Sequence, residues 1–78
     1  MKKYEFTGET KVEEGIILKR IRAIRDFGFV KVGDIGGWIE KEENLSHDGS
    51  AWVYGSAWVC GEAKVYGEAE VCGKAKVF

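Results

Sequence analysis

One histidine, two cysteines and a short acidic run are the residues whose types could do chemistry in this 78-residue chain. His47 is the single histidine and could serve as a general base in an acyl or proton transfer. Cys60 and Cys72 are candidate thiols. With His47 they make three potential zinc ligands, one short of a closed structural site. Glu40, Glu42, Glu43 and Asp48 could form a carboxylate pair or a cation site, although short acidic runs usually mark a solvated face. Lys19, Arg20, Arg22 and Arg25 alternate with apolar residues and could line a strand face that meets phosphates. Pairing with nearby glutamates on the same surface is the simpler account. None of these groupings carries a convincing catalytic signature, so no catalytic residue, no metal and no cofactor is expected.

The elements that position these residues follow from a repeat. From Gly49 to Phe78 the chain reads GSAWVY, GSAWVC, GEAKVY, GEAEVC, GKAKVF. Gly is always first, Ala third and Val fifth. A six-residue period means a β-helix. Ala and Val alternate, so both point to one side of an extended strand and fill a narrow interior. Gly supplies the corner or a close backbone approach. A helical reading fails, because valines six apart cannot share one face at 3.6 residues per turn.

This pattern resembles the left-handed β-helix of hexapeptide-repeat proteins, in which three hexads close one triangular coil. The resemblance implies that residues 18 apart stack at about 4.8 Å, the ordinary strand spacing. Tyr54 then lies beside Cys72, Cys60 beside Phe78, Trp58 beside Lys76 and Val59 beside Val77. Cys60 and Cys72, 12 apart, fall on different corners, out of disulfide range. They read as medium-sized apolar corner residues like Tyr54 and Tyr66. Extending the register backwards puts Leu45 in an Ala place and His47 in a Val place, which favours a structural role for His47. Ile39 fits an Ala place and Lys41 breaks the rule in a Val place, so 37–42 is an irregular lead-in. Seven hexads from Gly37 give about two and a third coils.

Residues 1–36 show no repeat. Tyr4 and Phe6 alternate with polar neighbours, a strand signal. Glu13-Glu14-Gly15 reads as a turn between Lys11-Val12 and Ile16-Ile17-Leu18, hence a hairpin. The spacing of Ile17, Ile21 and Ile24 would also suit a helix, but the hairpin signal and the missing N-cap favour a strand. The expected organisation is all-β: a β-hairpin cap over 1–36 and a short repeat coil over 37–78 in one compact domain. The run Gly33-Asp34-Ile35-Gly36-Gly37-Trp38-Ile39-Glu40, then Glu43-Asn44-Leu45-Ser46, then the V-Y-G-x-A repeats, resembles the YdcK-like repeat proteins of phages, prophages and bacteria. Members carry transferase or polymer-forming labels and many more repeats, so this chain resembles a shortened form.

Composition limits the function classes. With 12 basic and 13 acidic residues the net charge is −1, which leaves no electrostatic footprint for nucleic acid or an anionic membrane. No apolar run approaches the ~20 residues needed to cross a bilayer. The start lacks a signal-peptide core, so the expectation is cytoplasmic, or host cytoplasm for a phage gene. Trp52 and Trp58 occupy outward places, and tryptophan is enriched in binding hot spots. Together with Tyr54, Tyr66 and Phe78 they form the expected partner surface, with burial of the two tryptophans under the N-terminal third as an equal alternative. The last rung, with Val71, Cys72, Val77 and Phe78, is the expected homodimer interface, because an open coil end invites pairing. The expected function is therefore a non-catalytic protein-binding module, with partners that include a host defence nuclease such as a CRISPR effector. The alternatives are a self-assembling β-helix unit and a minimal hexapeptide acyltransferase with His47 as base.

Overall fold

The chain begins with a hairpin because ten residues of alternating pattern meet a turn that only left-handed backbone can make. The computed structural model describes residues 2–78. Strand β1 (Tyr4–Glu13) and strand β2 (Ile16–Ala23) pair antiparallel from Tyr4↔Ala23 to Glu13↔Ile16. Glu14 and Gly15 close the turn at φ 51° and 80°. The pairing slips between Phe6 and Thr10, where Gly8 takes φ 96°. Ile17 pairs with Val12 and Leu18 with Lys11, so Ile16–Ala23 is strand and the helical alternative falls.

Strand β3 (Ile35–Ile39) joins the hairpin to the repeats. It pairs antiparallel with β2 and parallel with β5 (Trp58–Val59), which in turn pairs parallel with β7 (Lys76–Val77). A second, parallel pair is β4 (Trp52–Val53) with β6 (Glu70–Val71), and Leu45 bridges Val65. Over Gly49–Phe78 the hexads thus pair in parallel 18 residues apart along two ladders, and the Leu45–Val65 bridge adds a third pairing 20 apart. The expected neighbours are found: Trp58 on Lys76 and Val59 on Val77, with Tyr54 N–H on Val71 and Cys60 N–H on Val77 placing the other two pairs. The five hexad glycines turn the corners with φ between 58° and 73°.

The first coil runs in a different register from the one that periodicity predicts. Trp38 pairs with Trp58, Ile39 with Val59 and Leu45 with Val65. Ile39 and Leu45 therefore hold Val places, not Ala places, and Gly37 stands where Ala57 stands one coil on. The offset of 20 returns to 18 by Trp52, which pairs with Glu70. Ser46 donates to the Val65 carbonyl and Ser50 to that of Gly67, so the surplus residues are taken up at His47 and Asp48. His47 is not an inward residue in a Val place; it sits on a small corner excursion.

The interior is filled from both parts of the chain. Ile39, Leu45, Ala51, Val53, Ala57 and Val59 are buried together with Tyr4, Ile21, Ala23 and Val30. Gly36 and Gly37 are required by space. A Cβ on Gly36 would lie 2.7 Å from the Trp52 ring, and one on Gly37 would lie 2.6 Å from the Ala57 carbonyl oxygen. The outward tryptophans are covered by the N-terminal third. Trp52 (1% exposed) packs edge-on against Tyr4 and Phe27. Trp58 (3% exposed) packs with Leu18, Trp38 and Cys60 in a second cluster outside the coil. Among the described residues no helix is long and apolar enough to cross a membrane.

Candidate functional site at the Glu42–His47 corner

The corner excursion brings the single histidine beside a carboxylate. Glu42 begins a one-turn 3-10 segment, Glu42–Asn44, held by Asn44, which is fully buried. The Asn44 side chain accepts from the Lys41 N–H at 2.8 Å and donates to the Gly61 and Ala63 carbonyls at 3.1 and 2.8 Å. That anchors the segment to the next coil and aims Glu42 back across the corner. His47 Nε2 lies 2.9 Å from Glu42 Oε2. The Lys3 backbone N–H donates to Nδ1 at 3.1 Å. The Tyr4 ring stacks on the imidazole at 4.1 Å and 12°, and Arg25 donates to the His47 carbonyl at 3.1 Å.

Glu42 is also met by the Lys2 ammonium, 3.3 Å from Oε2 and 3.4 Å from Oε1. The hydrogen bond from His47, and then Lys2, hold its carboxyl below the usual carboxylate range against an opposing effect of burial. Glu42 faces two open cavities. One, of about 300 Å³, is lined by Lys2, Tyr4, Glu5, Phe6, Ile24 and Glu42. The other, of about 410 Å³, is lined by Glu42, Glu43 and His47. The Tyr4 hydroxyl faces the Leu45 and Glu42 carbonyls at 2.7 and 3.0 Å. Its burial, followed by the charges of Glu42 and Glu43, pushes the phenol well above its ordinary value.

Most of the other candidate residues are engaged in the fold. Glu40 accepts from the Gly61 N–H at 2.7 Å. Lys19 donates to the Glu40 carbonyl and Arg20 to that of Gly36. Arg20 and Lys11 also sit over the Trp38 ring, and Arg22 pairs with Glu5. The basic residues are thus engaged one by one and do not form a shared phosphate surface. Cys60 is buried and its thiol is pushed up by that burial, while Cys72 is exposed; both are free. Of the expected partner-surface residues, Trp52 and Trp58 are inside the protein, Tyr54 is half-buried, and Tyr66 and Phe78 are 70% and 67% exposed. Val71 and Val77 are half-buried on the outer edge of the last coil.

Sequence reasoning named Glu42 and His47 separately but not as a pair, and it missed Lys2, Lys3 and Tyr4 altogether. The two-residue excursion that makes the pair has one signal in the sequence. Gly36-Gly37-Trp38-Ile39 aligns with Ser56-Ala57-Trp58-Val59 at an offset of 20, not 18.

No family model matches the chain. In an alignment of 62 positions that covers 69% of its length, the chain is 37% identical to a protein of Escherichia coli (strain K12) named as the uncharacterized acetyltransferase YdcK. The match covers 19% of that relative, so the chain spans about a fifth of its length. This supports a YdcK-like relationship. It also corrects the expectation of a non-catalytic binding module and of a protein that is not an enzyme, since the similarity points to an acetyltransferase-type relative.

Proposed function

We propose that the chain is a hexapeptide acyltransferase-type protein, its repeats wound as a left-handed β-helix, which moves an acyl group from a thioester donor to a small acceptor at the Glu42–His47 corner. The observation that carries this reading is the 62-residue similarity to a protein named as an acetyltransferase. Two features support it. The corner holds an ionised carboxylate on an imidazole at 2.9 Å, an arrangement suited to binding and orienting a hydrogen-bond donor. That carboxylate also opens on cavities of about 300 and 410 Å³, large enough for a short acceptor.

In this reading Glu42 binds and orients the acceptor, His47 holds Glu42 in place, and Tyr4 and Phe6 form the apolar wall of the cleft. The test is to incubate the protein with an acetyl thioester and a panel of small amines and alcohols, and to follow acetylated product by mass spectrometry. Turnover is expected, falling about 100-fold in Glu42→Gln, the scale of a lost group that positions the acceptor. Absence of product across the panel would overturn the reading.

A further inference from the structure

We infer that the acceptor at this corner is a primary ammonium held by the Glu42 carboxylate, with His47 as a positioning residue and not the base. For its use in catalysis the inference rests on the acyl-transfer reading; the binding it describes does not.

The lone pairs decide it. A neutral imidazole has one N–H and one free lone pair. A backbone N–H can only donate, so the Lys3 N–H at 3.1 Å places the lone pair on Nδ1 and occupies it. The ring proton then sits on Nε2 and is given to Glu42 Oε2 at 2.9 Å. Neither nitrogen has a lone pair left for an incoming hydroxyl. The ring is held in this pose by Tyr4 stacked on its face and by Arg25 on its own carbonyl. Tyr4 keeps its phenolic proton between the Leu45 and Glu42 carbonyls.

Among the groups lining the two cavities, the acceptors left are carboxylates. Glu5 is engaged by Arg22, and Glu43 has no imidazole to orient it. Glu42 has about four acceptor positions, a full set for an ionised carboxylate, and His47 and Lys2 leave room for a further donor. A stabilised carboxylate is too weak a base to activate an alcohol. It is suited to hold a cation, and an amine needs no further base once it has lost one proton to solvent. Its nitrogen lone pair then attacks the thioester carbonyl carbon, the C–S bond breaks, and the sulfur leaves with its electron pair. The second nitrogen proton passes to that sulfur, giving amide and thiol.

An independent observation points the same way. The chain already places a primary alkylammonium on Glu42: Lys2 Nζ, at 3.3 Å and 66% exposed. Lys2 is the chain's own stand-in for the ligand, and the adjoining walls of Tyr4, Phe6 and Ile24 suit a short alkyl chain.

The test uses n-butylammonium and n-butanol without any acyl donor, read by ¹H–¹⁵N NMR on the full chain, Lys2→Ala and Glu42→Gln. Butylammonium is expected to shift the Glu42 and His47 signals, to bind several-fold tighter in Lys2→Ala and to bind at least about ten-fold weaker in Glu42→Gln, which lacks the charge-assisted bond. Butanol is expected to do nothing. The wild-type His47 ring should show its proton on Nε2. Equal response to butanol, binding that survives Glu42→Gln, or a proton on Nδ1 would each overturn the inference. Should a variant fail to fold, the wild-type ring-nitrogen spectrum and the amine-against-alcohol comparison still decide. Turnover of alcohols without amine binding removes this inference and leaves acyl transfer standing; amine binding without turnover on any acceptor does the reverse.

Discussion

The Lys3 ammonium donates to the Ala51 carbonyl at 2.7 Å, taking the place of a backbone N–H from a coil that is not there. One coil further on, the equivalent acceptor, the Ala69 carbonyl, receives the Trp52 N–H. Lys3 also reaches the Gly49 carbonyl at 3.3 Å, whose counterpart, that of Gly67, receives the Ser50 N–H. A buried lysine thus closes the first edge of the coil, and its stem lies over Phe27. Burying an unsatisfied carbonyl costs about 1–3 kcal/mol, which is what this cap offsets.

That cap makes stability rise on the alkaline side. Burial, and then Arg25, lower Lys3 from 10.5 to about 8. Below pH 8 both folded and unfolded chains hold the proton. Between about 8 and 10.5 only the unfolded chain does, so stability increases with pH across that window. Tyr4 acts oppositely, because its raised value means that only the unfolded phenol ionises above pH 10. Burial also raises the Cys60 thiol, so that above about pH 9 only the unfolded thiol ionises. Urea unfolding from pH 7 to 11 should therefore show stability rising from about pH 8, levelling between about 9 and 10, and then falling. Lys3→Met should lose the rise and keep the fall.

Gly36→Ala should destabilise through space alone, since Gly36 carries no left-handed φ. The new methyl would lie 2.7 Å from the Trp52 ring and 2.8 Å from Ile21, both fully enclosed. Overpacking of this kind costs about 1–3 kcal/mol. Combining it with Trp52→Phe, which withdraws the clashing ring edge, should recover part of the loss in a thermal melt. A purely additive double variant would count against the steric account.

Where the hexad landmarks are complete, the sequence was legible down to single pairs such as Trp58 on Lys76. It failed where they lapse. Between Ile35 and Asp48 no Gly–Ala–Val triplet marks the phase, and Gly37 replaces the Ala that would have set it. A two-residue excursion is invisible to a strict period of six, so His47 was assigned inward. The outward places of Trp52 and Trp58 were read correctly within the repeat. Their burial depends on how residues 1–36 wrap back, which no local pattern encodes. Lys3 is harder still, because lysine is almost never fully buried unless paired, and the carbonyls that satisfy it lie 46 and 48 positions away.

The covered tryptophans and the exposed aromatics should separate cleanly on truncation. Trp52→Ala and Trp58→Ala remove rings that are 1% and 3% exposed, and each should cost about 3–5 kcal/mol. Tyr66→Ala should stay within about 0.5 kcal/mol, the range of ordinary surface changes. Denaturant midpoints at constant slope measure this directly. A Trp58 variant as stable as the parent would mean that the second cluster over the hairpin is not packed as described.

Acid should loosen the corner through Glu42. Its carboxyl lies below the ordinary value of 4.5, first because His47 donates to it and then because Lys2 stands beside it. On acidification the unfolded chain takes up the proton first, so this contribution is intact above about pH 4.5 and is lost as pH falls through the lowered folded value. Glu42→Gln retains the side-chain shape and removes the titration. The urea midpoint should fall less steeply below pH 4.5 in that variant than in the parent, with the two curves parallel between pH 5 and 7. Identical acid limbs would show that the Glu42–His47 bond does not persist in solution, and the orientation of the proposed ammonium site would fall with it.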